Sequence, residues 1–326
     1  MTTFDSLFQE LAGHPPFPWQ KALFERFLQN DVPQSCQLPT GLGKTSIAPV
    51  WLIALGLGAP LPRRLVYVVN RRTVVDQTTN EIVRIRQKLL QTDSSSQQLR
   101  ELKSRLQSQC AFETDVPVAI STLRGQFADN QEWATDPTRP AVICGTVDMI
   151  GSRLLFSGYR IGFRSRPLHA GFLGQDTLIV HDEAHLEPAF QTLLGSIQAE
   201  QGSGRFPDLR PLRVMELTAT SRGQRVPFRL TDEDRNHPVV QSRLQATKQL
   251  QLHPVTEEKK ELVTKLTQLA LEHQESGAPI LIFARSVEVV EQVADALEKK
   301  FSGQDRIARL TGTMRGLERD RLAREN

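Results

Sequence analysis

Leu38-Pro39-Thr40-Gly41-Leu42-Gly43-Lys44-Thr45 decides how the rest of the chain is read. A short apolar stretch, Ser35-Cys36-Gln37-Leu38, leads into it, and an apolar helical pattern from Ile47 to Leu57 follows. Strand, glycine-containing loop and helix, in that order, is the setting a phosphate-binding loop requires. Gly41 and Gly43 carry no Cβ, so the backbone can curl and let a phosphate approach its N–H groups. The helix that begins near Lys44 adds the positive end of its dipole. In such a loop Lys44 reaches the β- and γ-phosphates of ATP and the Thr45 hydroxyl ligates Mg²⁺. Thr40, Gly41, Leu42 and Gly43 then line the phosphates. The commonest spelling of the loop has glycine where Leu38 stands. The competing reading is an ordinary glycine-rich turn before a helix, and a second motif has to decide between them.

That second motif lies at residues 181–185. Thr177-Leu178-Ile179-Val180 reads as a strand, and it delivers His181-Asp182-Glu183-Ala184-His185 at its end. Asp182 is placed to hold Mg²⁺ opposite Thr45, and Glu183 to polarise the water that attacks the γ-phosphate. His185 is a candidate for bonding across to the next motif. A His-Asp pair is also the centre of metal-dependent phosphohydrolases, which need further His and Asp ligands around the same metal. The remaining histidines are scattered singly, so His181 reads as strand context and the chain shows no nuclease centre.

Other segments follow the same strand-then-loop rule. His14-Pro15-Pro16-Phe17-Pro18-Trp19-Gln20 enters a helix from Trp19 to Leu28. Gln20 beside an aromatic, shortly before the phosphate loop, resembles the adenine-reading Q motif of helicases; a solvent-facing glutamine at a helix start is the plainer reading. Arg64 to Val69 reads as a buried parallel strand. Arg71 and Arg72 follow it, where a nucleic-acid backbone would pass or where a solvated helix simply starts. Val116 to Ile120 reads as a strand, with Thr122 and Arg124 at its end as phosphate contacts. Ala141 to Cys144 is another, leading to Thr146, which suits a backbone-phosphate contact and a helix N-cap alike. Arg213 to Leu217 ends in Thr218-Ala219-Thr220, hydroxyls able to couple the acidic motif to nucleic acid. Residues 226–275 read as a connection ending in a helix from Thr256 to Gln274. Pro279 to Phe283 then reads as a strand, Arg285 as a nucleic-acid candidate, Val287 to Lys300 as a helix and Ile307 to Leu310 as a strand.

Composition sets the outer bounds. Across 326 residues, 39% are hydrophobic and 24% charged, which fits a soluble globular protein with room for two domains. Net charge is +3, compatible with nucleic-acid binding without requiring it. Cys36, Cys110 and Cys144 are widely spaced, which points to reduced thiols in a cytoplasm. No signal peptide or membrane-length apolar stretch is present.

The motifs, taken together, resemble superfamily 2 helicases with a DEAH-type second motif. More narrowly, they resemble the helicase portion of the CRISPR-associated helicase-nuclease of type I systems. The residues that carry this are Phe17-Pro18-Trp19-Gln20, the Pro39–Thr45 loop, Ser121-Thr122-Leu123-Arg124-Gly125, Gly145-Thr146-Val147-Asp148 through Arg153-Leu154-Leu155, and the 181–185 motif. Leu310-Thr311-Gly312-Thr313-Met314-Arg315 adds to it. The resemblance implies an α/β fold: a RecA-like P-loop domain with a mostly parallel sheet flanked by helices, over residues 1–225. A connection over 226–275 and the start of a second RecA-like domain over 276–326 would follow. It implies ATP and Mg²⁺ as ligands, single-stranded DNA and a CRISPR target-recognition complex as partners, and an HD nuclease located downstream or on another polypeptide. Two later helicase motifs, one bearing a catalytic arginine, are not found before Asn326. The expectation is therefore that the chain alone binds nucleotide weakly and does not unwind duplexes. A restriction-type translocase or RNA helicase, and a non-hydrolysing nucleotide- or nucleic-acid-binding fragment, are the alternatives.

Overall fold

A computed structural model of the chain describes residues 2–91, 96–114, 116–123, 131–159, 161–205, 208–218, 226–255, 258–300, 307–311 and 314, with the backbone alone of 72, 73 and 258–260. It divides into two compact units, Met1–Ala246 and Thr247–Asn326.

The first unit is built on a sheet of seven strands: β1 (Ser35–Gln37), β2 (Arg64–Val69), β3 (Ala119–Leu123), β4 (Ala141–Thr146), β5 (Thr177–Asp182), β6 (Arg213–Thr218) and β7 (Phe228–Arg229). Their spatial order is β3-β4-β2-β5-β6-β1-β7, and every pairing is parallel. Before β1 come α1 (Thr3–Ala12) and α2 (Pro18–Leu28); the crossovers that parallel neighbours need carry α3 (Ile47–Gly56), α4 (Arg72–Leu90), α5 (Gln97–Gln107), α6 (Glu132–Thr135), α7 (Val147–Leu154), α8 (Arg166–Gly174) and α9 (Pro188–Gln201); after β7 come α10 (Asp232–Asn236) and α11 (Pro238–Gln245).

The strand period of two sorts the core into two layers. On β2, Leu65, Tyr67 and Val69 join the cluster that holds Phe8, Trp19, Trp51 and Leu102. Val66 and Val68, on the other face, join Trp133, Ile150, Leu173 and Phe190. Helices therefore cover both faces, the arrangement that buries a continuous apolar run such as Leu-Val-Tyr-Val-Val. All strands point the same way, so the loops after β1, β2, β4 and β5 emerge along one edge, where open α/β sheets bind ligands.

β3 lies three residues later than the Val116–Ile120 expectation. Its ladder runs from Ala119 opposite Ala141 to Leu123 opposite Gly145, and Pro117 has no N–H to give to a ladder. Thr122 thus sits inside the strand rather than beyond it. The first unit also runs past residue 225. β7 adds to the sheet edge, and Asp234 of α10 accepts the Trp19 N–H at 2.6 Å.

The second unit contains α12 (Glu258–Glu272) and α13 (Val287–Glu298), with Ala270, Val293 and Leu297 buried between them. Its helices match the sequence expectation, but its strands do not form among the described residues. Residues 279–283 and 307–310 have no ladder partner, and Leu281 and Phe283 are exposed. A strand is stable only when its N–H and C=O groups are paired, and apolar content alone does not supply the partner.

Candidate nucleotide-phosphate site

The loop after β1 turns through two glycines in the left-handed region, Gly41 at φ 85° and Gly43 at φ 73°. Only glycine adopts this freely, so the turn explains both residues. Leu38 and Leu42 are fully buried and pin the loop to the core. Lys44–Ser46 forms one tight turn that runs directly into α3. Thr45 is half-buried and Thr40 exposed, so the loop's hydroxyl and backbone face outward while its leucines face inward.

Lys44 is 9% exposed, and its ammonium meets the acidic motif from the end of β5. Nζ lies 3.0 Å from Glu183 Oε1 and 3.8 Å from Asp182 Oδ1. These residues are separated by more than a hundred positions in sequence. They meet because β1 and β5 flank β6 in the same parallel sheet. Glu183 itself is strained, at φ 52°, a left-handed conformation unusual for a residue with a Cβ. That conformation lets its N–H bond back to Asp182 Oδ1 at 3.0 Å. Burial pushes the Asp182 carboxyl above its ordinary pKa, while Lys44 and a hydrogen bond from Tyr67 act in the opposite direction. His185 Nδ1 lies 3.5 Å from Glu183 Oε2 and 3.4 Å from Thr218 Oγ1 at the end of β6. Lys44, Asp182, Glu183, His185 and Thr218 thus form one connected polar cluster at the carboxyl edge of the sheet.

Gln20 is wholly buried, and its amide faces the loop rather than an open cleft. Oε1 accepts from Phe17 N at 2.8 Å, and Nε2 donates to Ser46 Oγ at 2.5 Å. The Ser46 hydroxyl in turn donates to the Gly43 carbonyl. Gln20 is therefore a strut between α2 and the loop in this structure. Three contributors were missed by sequence reasoning. Ser46 completes that strut. Arg243 of α11 donates to the Gly41 carbonyl, with its guanidinium carbon 5.9 Å from the centre of the Phe17 ring. Tyr67 of β2 donates to Asp182 Oδ2 at 3.1 Å. A lone hydroxyl in the apolar run of β2 was the one legible signal among these; nothing local marks Ser46 or Arg243.

The proposed nucleic-acid contacts are not gathered in the same way. Arg71 is exposed at the start of α4, just past β2. Arg72 opens that helix, but its side chain lies outside the described residues, as do Arg124 and Thr220. Thr122 is tied to Thr79 Oγ1 at 3.1 Å. Thr146 is buried at the N-cap of α7, where its side chain makes no capping bond. Arg285 belongs to the second unit and is exposed.

As a metal site, the cluster offers hard oxygens from Asp182 and Thr45. Among the described residues no group of three or more His, Cys, Asp or Glu forms a dedicated cage. One or two protein oxygens completed by phosphate oxygens and water suits Mg²⁺ rather than zinc. The histidine before Asp182 does not add a ligand: His181 is fully buried on the opposite face of β5, edge-on to Phe190 at 5.1 Å. No helix among the described residues is long and apolar enough to cross a membrane.

Comparison with known proteins agrees with the fold. The family model described as "Type III restriction enzyme, res subunit" (ResIII) matches residues 14–222. The DEAD-box helicase Mss116, solved with single-stranded RNA and UDP-BeF, superposes with a TM-score of 0.56 at 14% identity, over 98% of this chain and 61% of that one. The DUF1998 helicase MrfA, solved with DNA, gives 0.55 at 14% identity, over 99% and 40%. Cas3 of T. fusca, solved with AMPPNP, gives 0.39 at 19% identity, over 66% and 22%, too slight to bear on identity. No curated protein sequence matched. The chain belongs to the ResIII family, and its parallel sheet flanked by helices is the RecA-like fold of the DEAD-box helicase on which it superposes.

Proposed function

We propose that this ResIII-family chain carries the ATP-binding lobe of a superfamily 2 nucleic-acid motor. The observation that carries the reading is the 3.0 Å approach of Lys44 to Glu183, with Asp182 alongside, at the end of a glycine-turned loop. Phosphate binding would draw the Lys44 ammonium from the carboxylates to the β- and γ-oxygens, where a buried cation is best neutralised. Glu183, released, is then free to orient the attacking water and take its proton. Asp182 and Thr45 would hold Mg²⁺, which when bound neutralises charge on the phosphates. His185 and Thr218 join this chemistry to the end of β6, a route by which hydrolysis can be felt at the nucleic-acid side. Gln20 and Ser46 fix the loop's position.

The biological setting we infer from the motif resemblance is CRISPR interference, with single-stranded DNA as the track, a target-recognition complex as recruiter and the cytoplasm as the compartment. The family match favours a second reading, a restriction-type translocase. Under either one, residues 276–326 open a second RecA-like lobe.

The test is ATP hydrolysis by the chain with single-stranded DNA, duplex DNA or RNA added. Lys44→Ala should abolish the wild-type rate, and Glu183→Gln should lower it by about 10²–10⁴. Stimulation by single-stranded DNA alone favours the CRISPR setting, and stimulation by duplex DNA favours the translocase. A nucleic-acid-stimulated rate that survives Lys44→Ala contradicts the motor reading.

A further inference from the structure

Asp182 accepts a hydrogen bond at each of its oxygens, besides the Lys44 ammonium 3.8 Å from Oδ1, and only one of the two donors belongs to the motif it sits in. Oδ1 accepts the Glu183 N–H at 3.0 Å. Oδ2 accepts the Tyr67 hydroxyl at 3.1 Å. Tyr67 is 1% exposed, and its ring is part of the main core cluster. The ladder explains why it reaches: Tyr67 stands opposite Val180, so its long side chain, leaning along the strand, arrives at Asp182 two residues further on the same face. Phenylalanine would fill the same core volume, so the hydroxyl answers to the carboxylate and not to packing.

We propose that Tyr67 is a positioning residue for divalent-cation binding, fixing the Asp182 carboxylate so that its Oδ1 edge faces the phosphate loop. The inference rests on the nucleotide-site reading above and extends it to a residue outside the phosphate loop and the acidic motif. The physical argument is orientational. A carboxylate turning about its Cβ–Cγ bond presents either oxygen, and a single bond from Glu183 N–H leaves that rotation open. A second bond from a donor rooted in the rigid core closes it. A charge-assisted bond of this kind is worth enough to shift an equilibrium roughly tenfold or more. The hydroxyl donates, leaving Asp182 its remaining lone pairs for the cation or its water shell.

The experiment is a titration of a fluorescent ATP analogue against the full chain in EDTA and then at increasing Mg²⁺, for wild type and Tyr67→Phe. The expected result is unchanged nucleotide affinity in EDTA and a Mg²⁺ half-saturation raised roughly tenfold. In an Asp182→Asn background, Tyr67→Phe should cause no further change, because the group it positions has gone. Wild-type Mg²⁺ response that Tyr67→Phe leaves untouched overturns this inference alone. Loss of nucleotide affinity in EDTA as well would also overturn it, showing that Tyr67 supports the whole site rather than the cation. A wild-type chain whose nucleotide binding ignores Mg²⁺ overturns the site reading and this inference with it.

Discussion

His181 shows how much a single side chain inside the acidic motif can differ from its neighbours. Asp182 points to the phosphate loop; His181 points away, fully buried with neither ring nitrogen hydrogen-bonded. Burial lowers its pKa to about 4. The folded pKa is depressed below the ordinary value near 6.5, so the unfolded chain takes up a proton that the folded chain refuses. The stabilising contribution is therefore full above about pH 6.5 and is lost as pH falls toward 4, roughly 3 kcal/mol across that window. Urea unfolding at several pH values should show it: the wild-type midpoint falls between pH 6.5 and 4 more steeply than that of His181→Leu. Asp182, raised by burial, works in the opposite sense but is common to both curves. Parallel curves would contradict the assignment. At the same scale, Glu183→Gln keeps the side-chain volume but removes the base. Nucleotide affinity should hold, while any hydrolysis rate falls by about 10²–10⁴.

Elements are where close packing replaces motif chemistry. α3 is buried along its whole length. Its last residue, Gly56, lets α5 lie close: a Cβ there would stand 2.3 Å from Leu102 Cδ1. Leu102 is itself buried and has little room to retreat. Gly56→Ala should therefore destabilise the fold by about 1–3 kcal/mol despite alanine's better helix propensity; an unchanged or raised denaturation midpoint would contradict the close packing. Helices and the central strands were legible in the sequence because their apolar periods are long. Arg64–Val69 matches its expectation residue for residue. β3 was misplaced because periodicity does not report register, which the neighbouring strand sets. The strands expected at 279–283 and 307–310 have no ladder partner among the described residues, and an apolar run without one does not make a strand.

For the molecule as a whole, the phosphate loop and acidic motif were legible because each is a local spelling with its own chemistry. Their meeting was legible only through the rule that parallel strands deliver their loops to one edge. Ser46 and Arg243 carry no local mark, and the lone hydroxyl of Tyr67 in an apolar strand marks the residue without naming its partner. Gln20 was found by its neighbours and order; its bonds with Phe17 N and Ser46 Oγ were not legible there. The division into two units carries its own prediction. Residues 246–255 are almost entirely exposed, without regular structure, and include Lys248. Brief trypsin treatment should cut there first and leave a resistant fragment ending near Ala246, not near residue 225. Asp234 holding Trp19 N–H is the reason for that endpoint. Early loss of the 226–246 segment would contradict it.

Whether Lys44 and the carboxylates at 182 and 183 surround a triphosphate is read most directly by equilibrium binding of ATP to the full chain in Mg²⁺, carried to millimolar nucleotide, beside Lys44→Ala. The account predicts saturable binding that Lys44→Ala weakens by roughly tenfold or more, the loss of one charge-assisted phosphate contact. Equal affinity for the two proteins would contradict it.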